Sequence, residues 1–191
     1  MKHQTISTIA RMSDAKLINV KDLNSPVHAI STDTRTIKPG DIYVPLIGER
    51  LDGHEFIDKA FEKGALACFC DKNHIKNDGN IYLIVDDTLK AMQLLAKNYR
   101  NSLNTTIVGL TGSNGKTTTK EILASIYSKK YNTVSTKGNL NSETGLPLSV
   151  FMVRPEHEVG IFELGMNRRG EIREIAKVLL PNAAIITNIG T

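Results

Sequence analysis

Seven consecutive residues, Gly112-Ser113-Asn114-Gly115-Lys116-Thr117-Thr118, carry the most chemistry in this sequence. Glycines let a backbone curl until successive N–H groups point inward, where they cradle phosphate oxygens. Lys116 adds a mobile positive charge for the outer phosphates of a nucleoside triphosphate, and the Thr117 hydroxyl suits a magnesium ion. The spacing is Thr-Gly-x-x-Gly-Lys-Thr-Thr, because Leu110 stands where the commoner Gly-x-x-x-x-Gly-Lys-Ser/Thr loop has its first glycine. A Gly-Lys-Thr string alone is compatible with a plain surface turn. Here the apolar strand Thr105 to Thr111 precedes it and a helix begins at Thr117, and that context adds the positive end of a helix to the site.

A second group belongs beside the first. Glu163 closes the apolar stretch Val159 to Glu163, and in a parallel sheet binding groups gather at the carboxyl ends of strands. If that stretch is a neighbour of the loop strand, its carboxylate stands next to the triphosphate. Magnesium is a hard ion that takes oxygen ligands and keeps several waters, so Thr117, Glu163 and phosphate oxygens would suffice. The other reading of Glu163 is a strand-end carboxylate facing solvent.

These groups need elements to hold them. The front half reads as a helix from Gln4 to Arg11, strands Val27 to Ser31 and Asp41 to Leu46, and a helix from Glu55 to Lys63. Strands Ala65 to Cys70 and Ile81 to Val85 follow, then a helix from about Asp87 to Arg100. That helix has Asp87 as N-cap and Leu89, Met92, Leu95, Ala96 and Tyr99 on one face. The polar run Asn101 to Asn104 marks a domain boundary, giving domains 1–103 and 104–191. In the second half, strands at 105–111, 133–136, 159–164 and 183–188 alternate with helices at 117–130, 146–151 and 171–180. The fold class is therefore α/β, with a small α/β front domain and a partial parallel-sheet domain. Nothing follows the last strand to cover that sheet face, so this is expected to be the front part of a longer protein. Apolar surface is then expected around Ile185, Ile186 and Ile189.

Composition narrows the partners. The net charge of +4 arises from 24 basic and 20 acidic residues, scattered without the dense basic stripe and interleaved aromatics of a nucleic-acid groove. A small acidic ligand fits better. No apolar run suits export or membrane insertion, so a cytoplasmic protein is expected. Cys68 and Cys70 alternate along one strand, which points both to one face as reduced core thiols.

The stretch Val108 to Glu121 resembles the nucleotide loop of the Mur ligases of bacterial cell-wall synthesis. Ser135 to Leu148, Phe162 to Ile172 and Ile185 to Gly190 extend the resemblance, and Ser31 to Arg35, Lys38 to Leu46 and Gly48 to His54 are similar to that family's UDP-binding domain. The Gly138 to Asn141 and Glu163 to Met166 stretches favour the member that joins D-alanyl-D-alanine to UDP-N-acetylmuramoyl-tripeptide over the one that adds the third residue. The resemblance implies an ATP- and Mg2+-dependent ligase working through an acyl phosphate. It implies Lys116 as the phosphate-loop lysine, Asn139 as a nucleotide-side asparagine and Glu163 as the magnesium ligand. By the same mapping Thr32, Thr34, Arg50, Leu51 and Asp52 line a uridine diphosphate pocket, with Asn141 near the sugar and peptide end; for Thr32 and Thr34 strand-end packing is the other reading. His54 is read as a turn residue. The family's metal-binding histidine, its later lysine and its amine-holding third domain have no counterpart here, so the chain is expected to be inactive alone. A non-catalytic module holding a UDP-linked ligand or a partner protein is the competing reading. A guanine-selective switch is disfavoured, because no Asn-Lys-x-Asp stretch occurs.

Overall fold

The computed structural model describes residues 4–76 and 78–190; Thr191, the end of the expected second domain, lies outside them. By packing, the chain divides into two units, Met1–Leu95 and Ala96–Thr191, with the division inside a helix and ahead of the polar break at 101–104. Among the described residues no helix is long and apolar enough to cross a membrane.

The first unit opens with β1 (Gln4–Thr5) and α1 (Ile6–Ser13). The helix starts later than expected because Thr5 is its N-cap, accepting from the Thr8 amide at 3.3 Å, and Gln4 and Thr5 pair with β3 (Pro26–Val27). The expected strand from Val27 to Ser31 is in fact two. Val27 pairs backward with Gln4, while β4 (Ile30–Ser31) pairs with β5 (Ile42–Tyr43). β5 is shorter than the expected 41–46, because the Asp41 carboxylate turns back to accept from the Lys38 amide at 2.9 Å and Pro45 has no N–H to give a ladder. A 3₁₀ turn (Gly53–Phe56) leads into α2 (Ile57–Glu62), followed by β6 (Ala67–Cys70) and β7 (Tyr82–Ile84). With β2 (Lys16–Ile18) these strands form a sheet in the order β2-β7-β6-β5-β4, parallel except for the β2–β7 pair. All four residues of β6 are buried, as expected for a central parallel strand. Cys68 and Cys70 are free thiols that pack in one cluster with Ile57 and Ala60 of α2.

Helix α3 (Thr88–Asn101) starts as its sequence predicts: Asp87 Oδ1 accepts from the Lys90 amide at 3.0 Å. Met92, Leu95, Ala96 and Tyr99 are buried along one stripe. The second unit continues with β8 (Thr106–Thr111), α4 (Lys116–Tyr127), β9 (Thr133–Ser135), α5 (Gly145–Phe151), β10 (Val159–Glu163), α6 (Glu171–Leu179) and β11 (Ala183–Ile186). Its four strands are all parallel, in the order β11-β8-β10-β9. The chain leaves β8 toward β9 on one side and crosses from β10 to β11 on the other, so the crevice at the carboxyl end of β8 is a topological switch point. Ile186 and Ile189 are 61% and 83% exposed, as expected, whereas Ile185 is half-buried.

Candidate functional site

The glycine loop joins β8 to α4. Gly112 lies at φ +139° and Gly115, the residue that caps α4, at φ +79°, both in the region that favours glycine. At Gly112 the constraint is steric as well, because a Cβ there would stand 2.1 Å from Thr187 Oγ1 and 3.0 Å from the backbone of Asn188. The segment after β11 braces the loop. The Ser113 amide donates to Asn188 O at 3.1 Å, the Asn114 amide to Asn188 Oδ1 at 2.8 Å, and Thr187 Oγ1 donates to Asn114 O at 2.5 Å. Lys116 is half-buried, and its Nζ curls back to donate to the Gly112 carbonyl at 2.6 Å. The ammonium is thereby held over the loop whose amides a phosphate would meet. Thr118 is exposed on the first turn of α4.

Parallel pairing sets Glu163 opposite Leu110, two residues before the loop. The solvent-facing reading of this carboxylate does not hold, since Glu163 is only 5% exposed. Its Oε2 accepts from Thr117 Oγ1 at 2.9 Å and its Oε1 from Asn141 Nδ2 at 3.0 Å. Asn141 reaches it from the loop after β9, where its carbonyl also accepts from the Gly165 amide at 2.8 Å. Asn139 sits on the same loop with an exposed side chain. Thr117, Glu163 and Asn141 therefore meet at one point, and Asn139 is joined to it through its backbone carbonyl, which accepts from the Asn141 amide at 2.9 Å.

The first unit has its own cavity, of about 410 Å³, lined in part by Thr32, Thr34, Arg35, Leu51, Phe56 and Lys59. Thr32, Thr34 and Leu51 are thus brought together as the sequence suggests. Arg50 and Asp52 are not among its walls: Arg50 is exposed, and Asp52 is occupied as the cap of the 3₁₀ turn, accepting from the His54 amide at 2.9 Å and from its ring Nδ1 at 2.6 Å. Asp33 and Arg35, which sequence reading did not single out, form a two-pronged pair at 3.0 and 2.7 Å on this rim. The Arg35 side chain holds the Asp33 carboxyl down at about 2. Tyr43 also lines the cavity, and burial pushes its phenol up to about 12.

Two family profiles match the chain: Mur ligase family, catalytic domain, over residues 26–100, and Mur ligase middle domain, over residues 110–191. The chain belongs to the Mur ligase family. This Mur ligase chain is 48% identical over 171 residues to the UDP-N-acetylmuramoyl-tripeptide–D-alanyl-D-alanine ligase of Treponema pallidum, a match covering 84% of the chain and 37% of that protein. The crystal structure of MurF from Acinetobacter baumannii superposes with a TM-score of 0.91 at 34% identity, covering 98% of this chain and 41% of that one. The MurF ligase of Thermotoga maritima in complex with ADP superposes at 0.77, also at 34% identity, covering 90% and 39%. The Mur ligase chain thus spans about two fifths of the length of the relatives it matches.

Sequence reading missed the residues that support the loop in this Mur ligase chain, Thr187 and Asn188, although both lie in the stretch that resembles the family. It also passed over Lys120 and Thr136, which are 3% and 2% exposed. A lysine at the spacing that points toward the sheet was the available signal, because lysine is almost never fully buried without a partner.

Proposed function

We propose that this chain is the substrate-gripping and phosphate-gripping part of an ATP-dependent ligase that joins D-alanyl-D-alanine to UDP-N-acetylmuramoyl-tripeptide through an acyl phosphate. The observation that carries the reading is the meeting of the Thr117 hydroxyl with the buried Glu163 carboxylate at 2.9 Å, at the mouth of the glycine loop. The names of the relatives supply the substrates, and the ADP complex of the Thermotoga relative supports a nucleotide in the loop.

In this reading residues 1–103 hold the UDP-linked substrate and residues 104–191 are the first part of the ATP domain. The hydroxyls of Thr32 and Thr34, with Arg35 and Lys59 nearby, suit an anionic diphosphate, while Phe56 and Leu51 offer an apolar wall for the base. Gly112 to Thr118 receive the triphosphate, and Lys116 moves from the Gly112 carbonyl to the outer phosphates. Thr117 and Glu163 present two hard oxygens, a set that fits Mg2+. When bound there, Mg2+ neutralises charge on the transferring phosphoryl group. The peptide carboxylate is a poor electrophile until phosphorylated, so the protein's part is positioning and electrostatics, and no nucleophilic side chain is needed. The amine site, the adenine pocket and further metal ligands are assigned to the part of the relatives' length that this chain does not match. A cytoplasmic location follows from the substrates.

The test is phosphate release by the full-length protein with ATP, UDP-N-acetylmuramoyl-tripeptide and D-alanyl-D-alanine. Lys116→Ala should lower turnover by about 100-fold or more with the fold intact, as expected for a group that stabilises transition-state charge. Near-wild-type turnover would refute the loop assignment. UDP titrated into the labelled protein should shift the amides of Thr32, Thr34 and Leu51, and shifts confined to other surfaces would refute the front pocket.

A further inference from the structure

Lys120 plays no part in the reading above, yet it is the one buried residue of α4. Burying an ammonium group is expensive, and an apolar side chain of similar length would fill the space without that cost. Its partners show what the charge accomplishes. Lys120 Nζ donates to the Thr136 carbonyl at 3.0 Å and meets the Glu121 carboxylate at 2.8 Å. Thr136 stands just past the end of β9; its amide donates to Ile161 O at 3.1 Å, and its Oγ1 accepts from the backbone amide of Glu163 at 3.0 Å.

A closed circuit results. Thr117 and Lys120 stand one turn apart on α4. Thr117 binds the carboxylate of Glu163, and Lys120 holds Thr136, which holds the backbone of the same Glu163. The circuit fixes how far the first turn of α4 stands from the ends of β9 and β10. Thr136 is also the residue from which the loop carrying Asn139 and Asn141 departs, so the second ligand of the Glu163 carboxylate hangs from the same anchor.

We infer that Lys120 is a positioning residue: acting through Thr136, it sets the separation of the Thr117 hydroxyl and the Glu163 carboxylate, and so the affinity of that oxygen pair for a divalent cation. The inference rests on the proposed role of Thr117 and Glu163. Lys120 and Thr136 are both buried, at 3% and 2% exposure, and act as outer partners that orient the ligating groups.

The experiment is calorimetry of ADP binding to the full-length protein with and without Mg2+, the readout being the gain in affinity that Mg2+ confers. Lys120→Met and Thr136→Val should each cut that gain by about tenfold while leaving Mg2+-free ADP affinity within about twofold, the size expected of an outer-shell change. Thr136→Ser, which keeps the hydroxyl, should retain the gain. The Lys120→Met/Thr136→Val double variant should lose little more than either single one, because both act along one path. Glu163→Gln is the control for the underlying reading. If it keeps the full gain, the cation site is misassigned and the inference falls with it. If Glu163→Gln loses the gain while Lys120→Met and Thr136→Val keep it, only the positioning role is overturned, and Lys120 is helix-to-sheet fastening. Should Lys120→Met fail to fold, the Thr136 pair decides: loss in the valine variant with retention in the serine variant supports the inference, and retention in both overturns it.

Discussion

Gly112 shows how tightly a single position is specified. Its φ of +139° disfavours any side chain, and the nearest atom to an added methyl is the Thr187 hydroxyl that also bridges to Asn114. Gly112→Ala is therefore expected to push the end of β11 off the loop. It should cost about 2 to 3 kcal/mol of stability from overpacking and strain and weaken ADP binding. A melting temperature and ADP affinity equal to wild type would show that the close approach is dispensable. The cysteines give a second prediction at this scale. Burial pushes the Cys70 thiol up from 9.0 to about 12 and moves Cys68 the same way. The raised value means the folded state keeps its thiols protonated. Their contribution is fully present below pH 9 and is lost as pH rises from 9 toward 12, where the unfolded chain releases protons more readily. Iodoacetamide at pH 8 should label both cysteines at least about 100-fold more slowly in native protein than in urea; comparable rates would contradict the burial. The loop itself was legible because all its chemistry lies in seven adjacent residues. Thr187, Asn188 and Thr136 were not, because each acts on a group far away in the sequence.

At the scale of elements, the end of α3 is the instructive case. Tyr99, read as an inward-facing residue, donates its hydroxyl to the Val153 carbonyl at 2.7 Å. Arg100, which sequence reading treated only as the helix end, is 7% exposed and donates to the carbonyls of Leu103, Leu179 and Leu180 and to Asn182 Oδ1. Leu180 ends α6 in a left-handed conformation, φ 48°, that glycine more often takes. One guanidinium thus satisfies the carbonyls that terminate α6 and fastens that terminus to α3. Arg100→Met should cost about 2 to 4 kcal/mol, because it leaves several buried acceptors without donors. Urea unfolding of this chain would show a lower midpoint with an unchanged slope; an unmoved midpoint would mean the carbonyls find water instead. Long periodic elements such as α3 and β8 were legible from pattern alone. The short strands between 26 and 46 were not, since strands of two residues carry no periodicity and are fixed by partners such as Gln4 and Ile42.

At the scale of the molecule, the α/β class and the parallel second sheet follow from alternation and turn signals in the sequence. Strand order does not, because β9 is nearer in sequence to β8 than β10 is, yet β10 takes the place beside it. That order has a consequence in time. β8 is synthesised first and must lie between β10 and β11, so a strand with a buried Ile-Val-Gly-Leu centre leaves the ribosome about fifty residues before its first partner and waits on the order of several seconds at typical elongation rates. During that interval Ile107, Val108 and Leu110 have no sheet to enter. A nascent chain arrested near residue 150 should accordingly be cut rapidly by protease around β8 and engage chaperones, while one arrested far enough past residue 190 to clear the exit tunnel should resist. Equal resistance at both lengths would mean that the strand finds temporary shelter against its own helix α4.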